Sequence, residues 1–288
     1  MFAEPTSLGL KFALWHADLK RGRKRLLAAI DGVSVGRLSG AVGNFAHLDP
    51  RVEAYVCRKL KLRPAPIATQ VLQRDRHADY LFAIAAIAAT AEKMAQEIRL
   101  LHRTEAGELT EGFFAGQRGS SAMPHKKNPI LSERICGLAR LLRGYVTPAL
   151  EDVALWHERD ITHSSVERVI VPDATILLDY LLGLLDQVLA NLGIHPRRMR
   201  ENVQRLGGAM FSQRLLLALA EAIGSRDRAY AIVQRLALAD DPRTFEERVR
   251  ADLLVRTHLN ARRLDEIFDV RYYLRRSRLI LRRALAEP

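Results

Sequence analysis

Two adjacent hydroxyls, two lysines and a side-chain amide stand together in one short stretch of the sequence. The segment 119–129 reads Gly-Ser-Ser-Ala-Met-Pro-His-Lys-Lys-Asn-Pro. Its glycine allows a sharp turn, its prolines fix φ at two points, and Pro129 is well placed to open a helix at Ile130. Ammonium, hydroxyl and amide groups together can hold carboxylates through charge-assisted hydrogen bonds. Taken singly these residues are ordinary loop components, so the indication of a site comes from the string as a whole.

As one unbroken string, 119–129 resembles the signature loop of the fumarase/aspartase superfamily. The His after Met-Pro, and the Ile-Leu-Ser-Glu-Arg run at 130–134, resemble the adenylosuccinate lyase family in particular. The resemblance extends over essentially the whole chain, because six further segments are also similar to that family: AEPT at 3–6, SGAVG at 39–43, QVLQRDRHAD at 70–79, WHERDI at 156–161, SSVER at 164–168 and MFSQR at 210–214.

The resemblance implies a β-elimination that cleaves a C–N bond. The family's substrates are adenylosuccinate, which gives AMP and fumarate, and the succinyl-carboxamide ribonucleotide of purine biosynthesis. A base removes a proton from the carbon next to a carboxylate, charge develops on that carboxylate, and an acid protonates the departing nitrogen. Such a site needs a base, cations aimed at the carboxylate and a proton donor.

Residue by residue, the resemblance assigns roles to positions of this sequence. Ser120 matches the family's base, and its alkoxide needs stabilisation, for which Lys126 and the helix N-terminus after Pro129 are the local candidates. Glu133 matches a carboxylate that the family places near the reaction. Three His residues lie in matching motifs and receive no assigned chemistry, namely His77, His125 and His157. The expected substrate-binding residues are Gln70, Ser121, Lys126, Lys127, Asn128, Arg134, Arg159, Ser164, Ser165 and Arg168.

The start of the chain departs from the family pattern. In relatives, Ala-Glu-Pro-Thr is preceded by Arg-Thr-His-Gly, and that His is the proton donor. Here the matching segment begins at Ala3, so the donor and the family's N-terminal domain would lie before the first residue. The alternatives are a longer natural protein, which the intact downstream motifs favour, and a product that cannot complete catalysis. Since general acid catalysis is worth about 10²–10⁴-fold, we expect negligible turnover by the isolated chain, with partial rescue on co-assembly with subunits that carry the His.

Hydrophobic periodicity predicts an all-α fold. Helices at approximately 6–36, 70–103, 130–156 and 167–192 should form an elongated bundle, and shorter helices are expected at 211–223, 227–238, 245–255 and 271–286. Nothing in the sequence indicates a sheet. We place a domain boundary near residue 205, between a central lyase domain (1–205, with the signature loop 119–129) and a small helical C-terminal domain (206–288).

Composition narrows the class of protein. The net charge of +12 comes from basic residues interspersed with carboxylates, which is typical of solvated helix faces and would suit a phosphorylated, dicarboxylate substrate. We expect no nucleic-acid or membrane partner, because no nucleic-acid motif is present and the most apolar run, 176–192, contains Asp179 and Asp186. The two cysteines have no metal-ligand spacing and indicate reduced thiols in the cytoplasm. We expect no metal and no cofactor.

Assembly and two other classes of function stay open. The family packs four subunits through their central helices, and each of its active sites takes residues from three chains; the Ala-rich run 81–91 is compatible with such packing. Another superfamily lyase, of the argininosuccinate lyase or carboxymuconate cycloisomerase type, is the alternative enzyme. A catalytically incompetent helical scaffold that only associates with full-length copies is the non-enzymatic alternative, and a nucleic-acid binder is the weakest.

Overall fold

The structure, a computed structural model, describes residues 3–113, 122–123 and 125–286. Its helices are α1 Leu8–Val33, α2 Pro50–Lys59, α3 Asp75–His102, α4 Ile130–Gly144, α5 Val146–Glu151, α6 Thr162–Ala190, α7 Pro196–Arg205, α8 Ser212–Ile223, α9 Arg226–Ala237, α10 Phe245–Ala251, α11 Leu253–His258, α12 Ala261–Ile267, α13 Arg271–Leu274 and α14 Ser277–Ala286. The chain is mostly helical, which confirms the predicted fold class.

The expectation of no sheet was wrong in detail. Two pairs of two-residue strands are present: β1 (Val35–Gly36) is parallel to β2 (Arg63–Pro64), and β3 (Leu109–Thr110) is antiparallel to β4 (Gly193–Ile194). Strands of two residues carry no periodic pattern that a sequence can reveal. They join segments that lie outside the helices.

The chain divides into two compact units. The bundle unit is Trp15–Ile194, and the terminal unit consists of Met1–Leu14 with His195–Pro288. This division is one of packing. It does not test the predicted boundary near residue 205 between a lyase domain and a C-terminal domain, which stays a prediction.

Helix α3 forms the centre of the bundle unit. Its alanines at 83, 88, 91 and 95 are completely buried, so neighbouring helices can approach its backbone. Helix α1 runs antiparallel to α3, because Arg76 Nη1 donates to the carbonyl of Gly32 over 2.8 Å while Gly22, earlier in α1, lies against Ile87. A Cβ added at Gly22 would be 3.0 Å from the Ile87 side chain.

Helices α4 and α6 complete this core with opposite directions. Helix α4 is antiparallel to α3, since His102 at the end of α3 bonds to the residues just before α4 and Glu92 pairs with Arg143 near the end of α4. Helix α6 is parallel to α3, since Arg74 and Tyr80 contact Glu167 and Thr175 in the same order. The fixed directions decide which ends of the helices lie together.

In the bundle unit, two of the predicted helices differ clearly from the observed ones. The predicted helix 130–156 is broken after Gly144, because Pro148 in α5 has no N–H to donate to the carbonyl of residue 144. The predicted helix at 167–192 instead begins at Thr162, where the Asp160 carboxylate accepts from the Thr162 amide over 2.9 Å. The strip 164–168 therefore lies within the first two turns of α6.

The terminal unit has its own apolar core, formed by α8 to α12 around Phe211, Phe245 and Phe268. The predicted helix 245–255 is two helices. They are separated at Asp252, whose side chain accepts from the Val255 amide over 3.0 Å and so caps α11. The predicted helix 271–286 is likewise divided into α13 and α14.

Among the described residues no single helix has the length and apolar composition needed to cross a membrane. One pair, Pro196–Arg205 with Ala209–Ile223, meets those criteria only when its two members are taken together across a bend of 72°.

Candidate active site

Two of the expected site residues, the base Ser120 and its neighbour Ser121, lie outside the described residues. Their roles stay predictions. The other expected residues are described and fall into two groups. The strip group lies around the starts of α3 and α6 and consists of Gln70, Arg159, Ser164, Ser165 and Arg168; the loop group lies at the start of α4 and consists of Lys126, Lys127, Asn128, Glu133 and Arg134.

In the strip group, Gln70 joins three segments that are far apart in sequence. Its amide donates to the carbonyl of Glu158 over 2.9 Å, and its carbonyl accepts from Arg37. Arg37 also donates to Ser39 Oγ and to the carbonyl of residue 40. Three motifs therefore meet at the backbone of Gln70, namely those at 39–43, 70–79 and 156–161. Because Gln70 bonds to Glu158, its backbone lies next to Arg159.

Gly43 is required for this meeting of segments. Its φ is +82°, in the left-handed region, and a Cβ placed on it would lie 1.8 Å from the carbonyl oxygen of Ala68. Only glycine permits both the backbone conformation and this close approach. The last residue of the SGAVG motif thus fixes the backbone two residues before Gln70.

The turn that carries Arg159 is held by the carboxylate of Asp160. This carboxylate accepts from the amides of Trp156 and Thr162 over 3.0 and 2.9 Å, and these two backbone hydrogen bonds hold its pKa below the usual value. His157 adopts a left-handed φ of +50°, and Trp156 is 81% exposed. The indole and the Arg159 guanidinium are thereby presented to solvent on a fixed backbone.

A buried cluster of ionisable groups lies beside the strip group. Arg74 pairs with Glu167 at 3.0 Å, and both side chains are mostly buried. Burial raises the pKa of Glu167 and of Asp152, although Arg74 opposes both shifts. Burial and the charge of Arg74 lower the pKa of His77 to about 4, and burial likewise lowers the pKa of His163. The cluster joins the start of α3 to the first turns of α6, so it positions the helix that carries Ser164 and Arg168.

The hydroxyls of the strip differ in exposure. Ser164 is partly buried, whereas Ser165 and Arg168 are exposed, and Ser165 Oγ donates to the carbonyl of Thr162 over 3.2 Å. Two hydroxyls and a guanidinium in the first turns of a helix are suited to holding a phosphate, because the helix N-terminus adds positive potential. The geometry is compatible with the role that the sequence assigned to them.

In the loop group, the segment entering α4 is held by two side chains that the sequence did not single out. Glu111, which is buried, accepts from the amides of Leu131 and Ser132 over 2.9 and 2.8 Å and from Ser132 Oγ over 2.7 Å. His102 Nε2 bonds to the carbonyl of Lys127 over 2.8 Å. A helix cap supplied from twenty positions away has no local sequence signature, unlike a Ser, Thr, Asp or Asn cap, and this is why the sequence did not reveal Glu111.

The Glu111 carboxylate also affects the positive potential at the start of α4. The sequence suggested two local sources of positive potential for the alkoxide, Lys126 and the N-terminus of the helix after Pro129. In the structure the amides of Leu131 and Ser132 at that N-terminus donate to the Glu111 carboxylate. Its negative charge offsets the helix dipole. Lys126, the other source named from the sequence, is exposed, and its role toward Ser120 stays a prediction.

Within one chain the two groups lie at opposite ends of α3. The strip group is near Arg74, immediately before α3, whereas the loop group is next to His102, its last residue. A helix of 28 residues is about 42 Å long at 1.5 Å per residue. Arg134 illustrates the separation: it donates to the Tyr180 hydroxyl over 2.8 Å, well along α6 from the strip. One chain does not bring together the expected site residues that the structure describes.

The fold and the signature segment define the class of protein, one with the helical fumarate lyase fold. Fumarate lyase from Mesorhizobium sp. BNC1 superposes with a TM-score of 0.88 at 27% identity, covering 100% of this chain and 65% of that one. The 3-carboxy-cis,cis-muconate lactonizing enzyme from Pseudomonas putida gives 0.86 at 27% identity, covering 99% and 63%. A family model described as lyase matches residues 2–144, and one described as adenylosuccinate lyase C-terminus matches 208–284.

Curated relatives narrow the class to one family. The chain is 49% identical to adenylosuccinate lyase of Bacillus subtilis (strain 168) over 283 residues, and 50% identical to that of Thermotoga maritima over 275 residues. These matches cover 98% and 95% of this chain. The chain belongs to the adenylosuccinate lyase family. It spans slightly less than two thirds of these relatives, 66% and 64% of their lengths.

Proposed function

We propose that this chain acts in an adenylosuccinate lyase, which eliminates fumarate from adenylosuccinate to give AMP and from the succinyl-carboxamide ribonucleotide of purine biosynthesis. The observation that carries the proposal is the identity of about one half to adenylosuccinate lyases along almost the whole chain. The structural neighbour of the muconate type from Pseudomonas putida is only 27% identical, so the alternative of a cycloisomerase has weaker support. The domain boundary near residue 205 belongs to the same proposal, and the C-terminal family match that begins at 208 supports it.

The chemistry of the two groups corresponds to the two ends of such a substrate. The strip group offers hydroxyls and guanidiniums for the phosphate, with Gln70 as a further contact. The loop group offers ammonium and amide groups for the succinyl carboxylates, and the resemblance adds the hydroxyl of Ser121. Ser120 would remove the proton from the carbon next to the carboxylate, and the electron pair left on that carbon would form the C=C bond of fumarate. The C–N bond would break with its electron pair leaving on the nitrogen, which the family's acid protonates. Glu133, exposed in the first turn of α4, is the supporting carboxylate.

The distance between the groups supports a homo-oligomer, with a tetramer expected for the family. Since about 42 Å of helix separates them in one chain, a single substrate can meet both only if different copies supply them. Phe82, Val169 and Ile176, on α3 and α6, are each more than half exposed, and exposed apolar side chains of this kind support association between copies. We also place the reaction in the cytoplasm, which is supported by two buried cysteines that form no disulfide.

A hybrid assembly tests the proposal. The purified chain is assayed for conversion of adenylosuccinate alone, and then after mixing with the Bacillus subtilis relative in which the serine aligned with Ser120 is changed to Ala. The mixture contains every group that the family uses, so we expect turnover to appear there. Ser120→Ala in this chain should remove that turnover through kcat more than through KM, because proton removal acts only in the transition state.

Two further samples make the outcome decisive. Arg168→Met should raise KM by weakening phosphate binding, while the matched control Arg226→Met, on the exposed surface of α9, should behave as the unmodified chain. Light scattering at micromolar concentration should show association. No turnover in the mixture, with light scattering showing that hybrids form, would refute the proposed activity and favour a scaffold that only associates.

A further inference from the structure

His102 and Glu111 hold the two sides of the segment that leads into α4. Glu111 satisfies the amides of Leu131 and Ser132, and His102 bonds to the carbonyl of Lys127. The remaining amides at this helix start are also bonded: that of Ile130 to the carbonyl of Asn128, and that of residue 133 to the carbonyl of residue 129. Every one of the first four amides of α4, which a helix leaves without internal partners, is therefore accounted for.

The backbone that carries Glu111 is itself fixed to the end of α6. Strand β3 immediately precedes Glu111 and pairs with β4, and Leu109 in β3 is completely buried. Gly112 follows, and a Cβ added there would lie 2.6 Å from Cβ of Asn191. Such close contact on both sides of Glu111 leaves its carboxylate little freedom, so the start of α4 is positioned by the helix bundle and not only by its own loop.

His102 connects the two halves of this arrangement through a defined tautomer. The amide of Glu111 donates to His102 Nδ1 over 3.1 Å, so Nδ1 carries no proton. Nε2 then carries the proton and donates to the carbonyl of Lys127 over 2.8 Å. One imidazole thus joins the backbone at 111 to the backbone at 127. Lys127 is also placed over the Phe113 ring, with Nζ 5.2 Å from the ring centroid.

We propose that His102 and Glu111 are positioning residues that fix the loop group for the elimination reaction. They act through the backbone of residues 127–132 and not by contact with substrate. The proposal rests on the proposed function, because it assigns Lys126, Lys127 and Asn128 to the substrate carboxylates. Ordered backbone at both sides of a reacting group lowers the cost of orienting it, and displacement by about 1 Å can reduce the rate by 10²-fold.

Positions 111 and 102 differ in which substituted side chains could replace the native hydrogen bonds. Three donors converge on the two oxygens of Glu111. A glutamine there would turn its NH₂ group toward a donor and leave at least one amide of α4 unbonded. At position 102, however, a glutamine can still accept from the amide of residue 111 and donate to the carbonyl of Lys127, whereas a leucine can do neither.

The test combines hydrogen exchange with kinetics in five variants of the full chain, three at the two residues and two controls. Glu111→Gln and His102→Leu are the disruptive variants, His102→Gln is the conservative one, and circular dichroism checks that each is folded. The matched controls are Glu221→Gln and His16→Leu, since both residues are exposed and belong to other helices, α8 and α1. Amide exchange is followed in a peptide covering 126–134, with a peptide covering 83–98 of the α3 core as internal reference.

We expect exchange at 126–134 to rise by at least about tenfold in Glu111→Gln and His102→Leu, consistent with the loss of buried hydrogen bonds, and to stay near the unmodified value in His102→Gln. In the hybrid mixture described above, kcat/KM should fall by about 10–100-fold in the two disruptive variants and be largely retained in His102→Gln and in the controls. The reference peptide should be unaffected throughout.

The two readouts separate this proposal from the proposed function. If the unmodified chain has no activity in any mixture, the proposed function fails, while exchange still decides whether His102 and Glu111 hold the segment. Unchanged exchange at 126–134 in both disruptive variants would overturn the proposal. Faster exchange with full kcat/KM would overturn it as well, because ordering of the segment would then have no role in the reaction.

Discussion

Gly40 and Gly43, three residues apart in the SGAVG motif, form a natural pair for testing how the strip group is assembled. Both adopt a left-handed φ, +85° and +82°. They differ in their surroundings: a Cβ at Gly40 would have no atom within 4 Å, whereas one at Gly43 would lie 1.8 Å from the carbonyl oxygen of Ala68. Substitution of each by alanine therefore imposes the same backbone penalty, and only Gly43→Ala adds a clash.

The magnitudes follow from these two contributions. A left-handed conformation costs an alanine about 1–2 kcal/mol, which is the whole effect expected for Gly40→Ala. At Gly43 the Ala68 carbonyl must also withdraw by about 1.6 Å to reach ordinary contact at 3.4 Å, and overpacking of this kind adds about 1–3 kcal/mol. The melting temperature of Gly43→Ala should thus lie several degrees below that of Gly40→Ala, at roughly 2–4 °C per kcal/mol.

Thermal unfolding by far-ultraviolet circular dichroism measures the difference, and hydrogen exchange of residues 63–70 locates it. Because residue 68 precedes Gln70 by two positions, Gly43→Ala should also loosen the bond between the Gln70 amide and the carbonyl of Glu158. Equal melting temperatures and equal exchange in the two variants would refute the account of Gly43 as the residue that fixes this backbone.

Three further predictions concern the ionisable groups around the strip. Removing one member of the mostly buried Arg74–Glu167 pair, as in Glu167→Gln or Arg74→Met, should cost about 3–5 kcal/mol in urea unfolding, and the double variant should cost less than the sum; strict additivity would contradict the pairing. The pKa of His77 is lowered from 6.5 to about 4, so the folded state favours the neutral imidazole. As pH falls from 6.5 toward 4, the protein should lose about 1–2 kcal/mol of folding stability, a value discounted for the partial exposure of His77. His77→Gln should flatten that part of the pH profile, and an unchanged profile would count against this assignment. Amide hydrogen bonds lower the pKa of Asp160, so carboxyl NMR should give a titration midpoint below 3.8. The contribution of Asp160 to folding stability is present above the unfolded pKa and is lost as pH falls through the folded pKa. Asp160→Asn should speed amide exchange at Thr162.

The sequence predicted the long helices well, because their periodic apolar positions correspond directly to buried faces. Helix α3 was expected at 70–103 and spans Asp75–His102. The errors occurred where a single local interaction ends a helix against the periodicity. Pro148 interrupts the helix after Gly144, and Asp160 starts α6 earlier than the apolar pattern suggested. The two small strand pairs depend on tertiary contact alone and carry no periodic signal.

For the candidate site, the sequence predicts which residues take part but not how they are arranged. Motif resemblance identified both the strip group and the loop group, whereas their separation along α3 appears only when the directions of α4 and α6 are known. Glu111 and His102 were missed because each acts on backbone far away in the sequence. The roles of Ser120 and Ser121 remain predictions, since those residues lie outside the described part of the chain.

The two tryptophans of the chain give it an intrinsic fluorescence reporter. Trp15 is 5% exposed, whereas Trp156 is 81% exposed on the turn beside Arg159. Acrylamide should therefore quench one component of the emission and leave the other largely intact. If another copy of the chain or a bound nucleotide covers that turn, the quenchable component should shift to shorter wavelength and become protected. Trp156→Phe would remove this signal, so occupancy of the strip group can be followed by emission spectra without any added label.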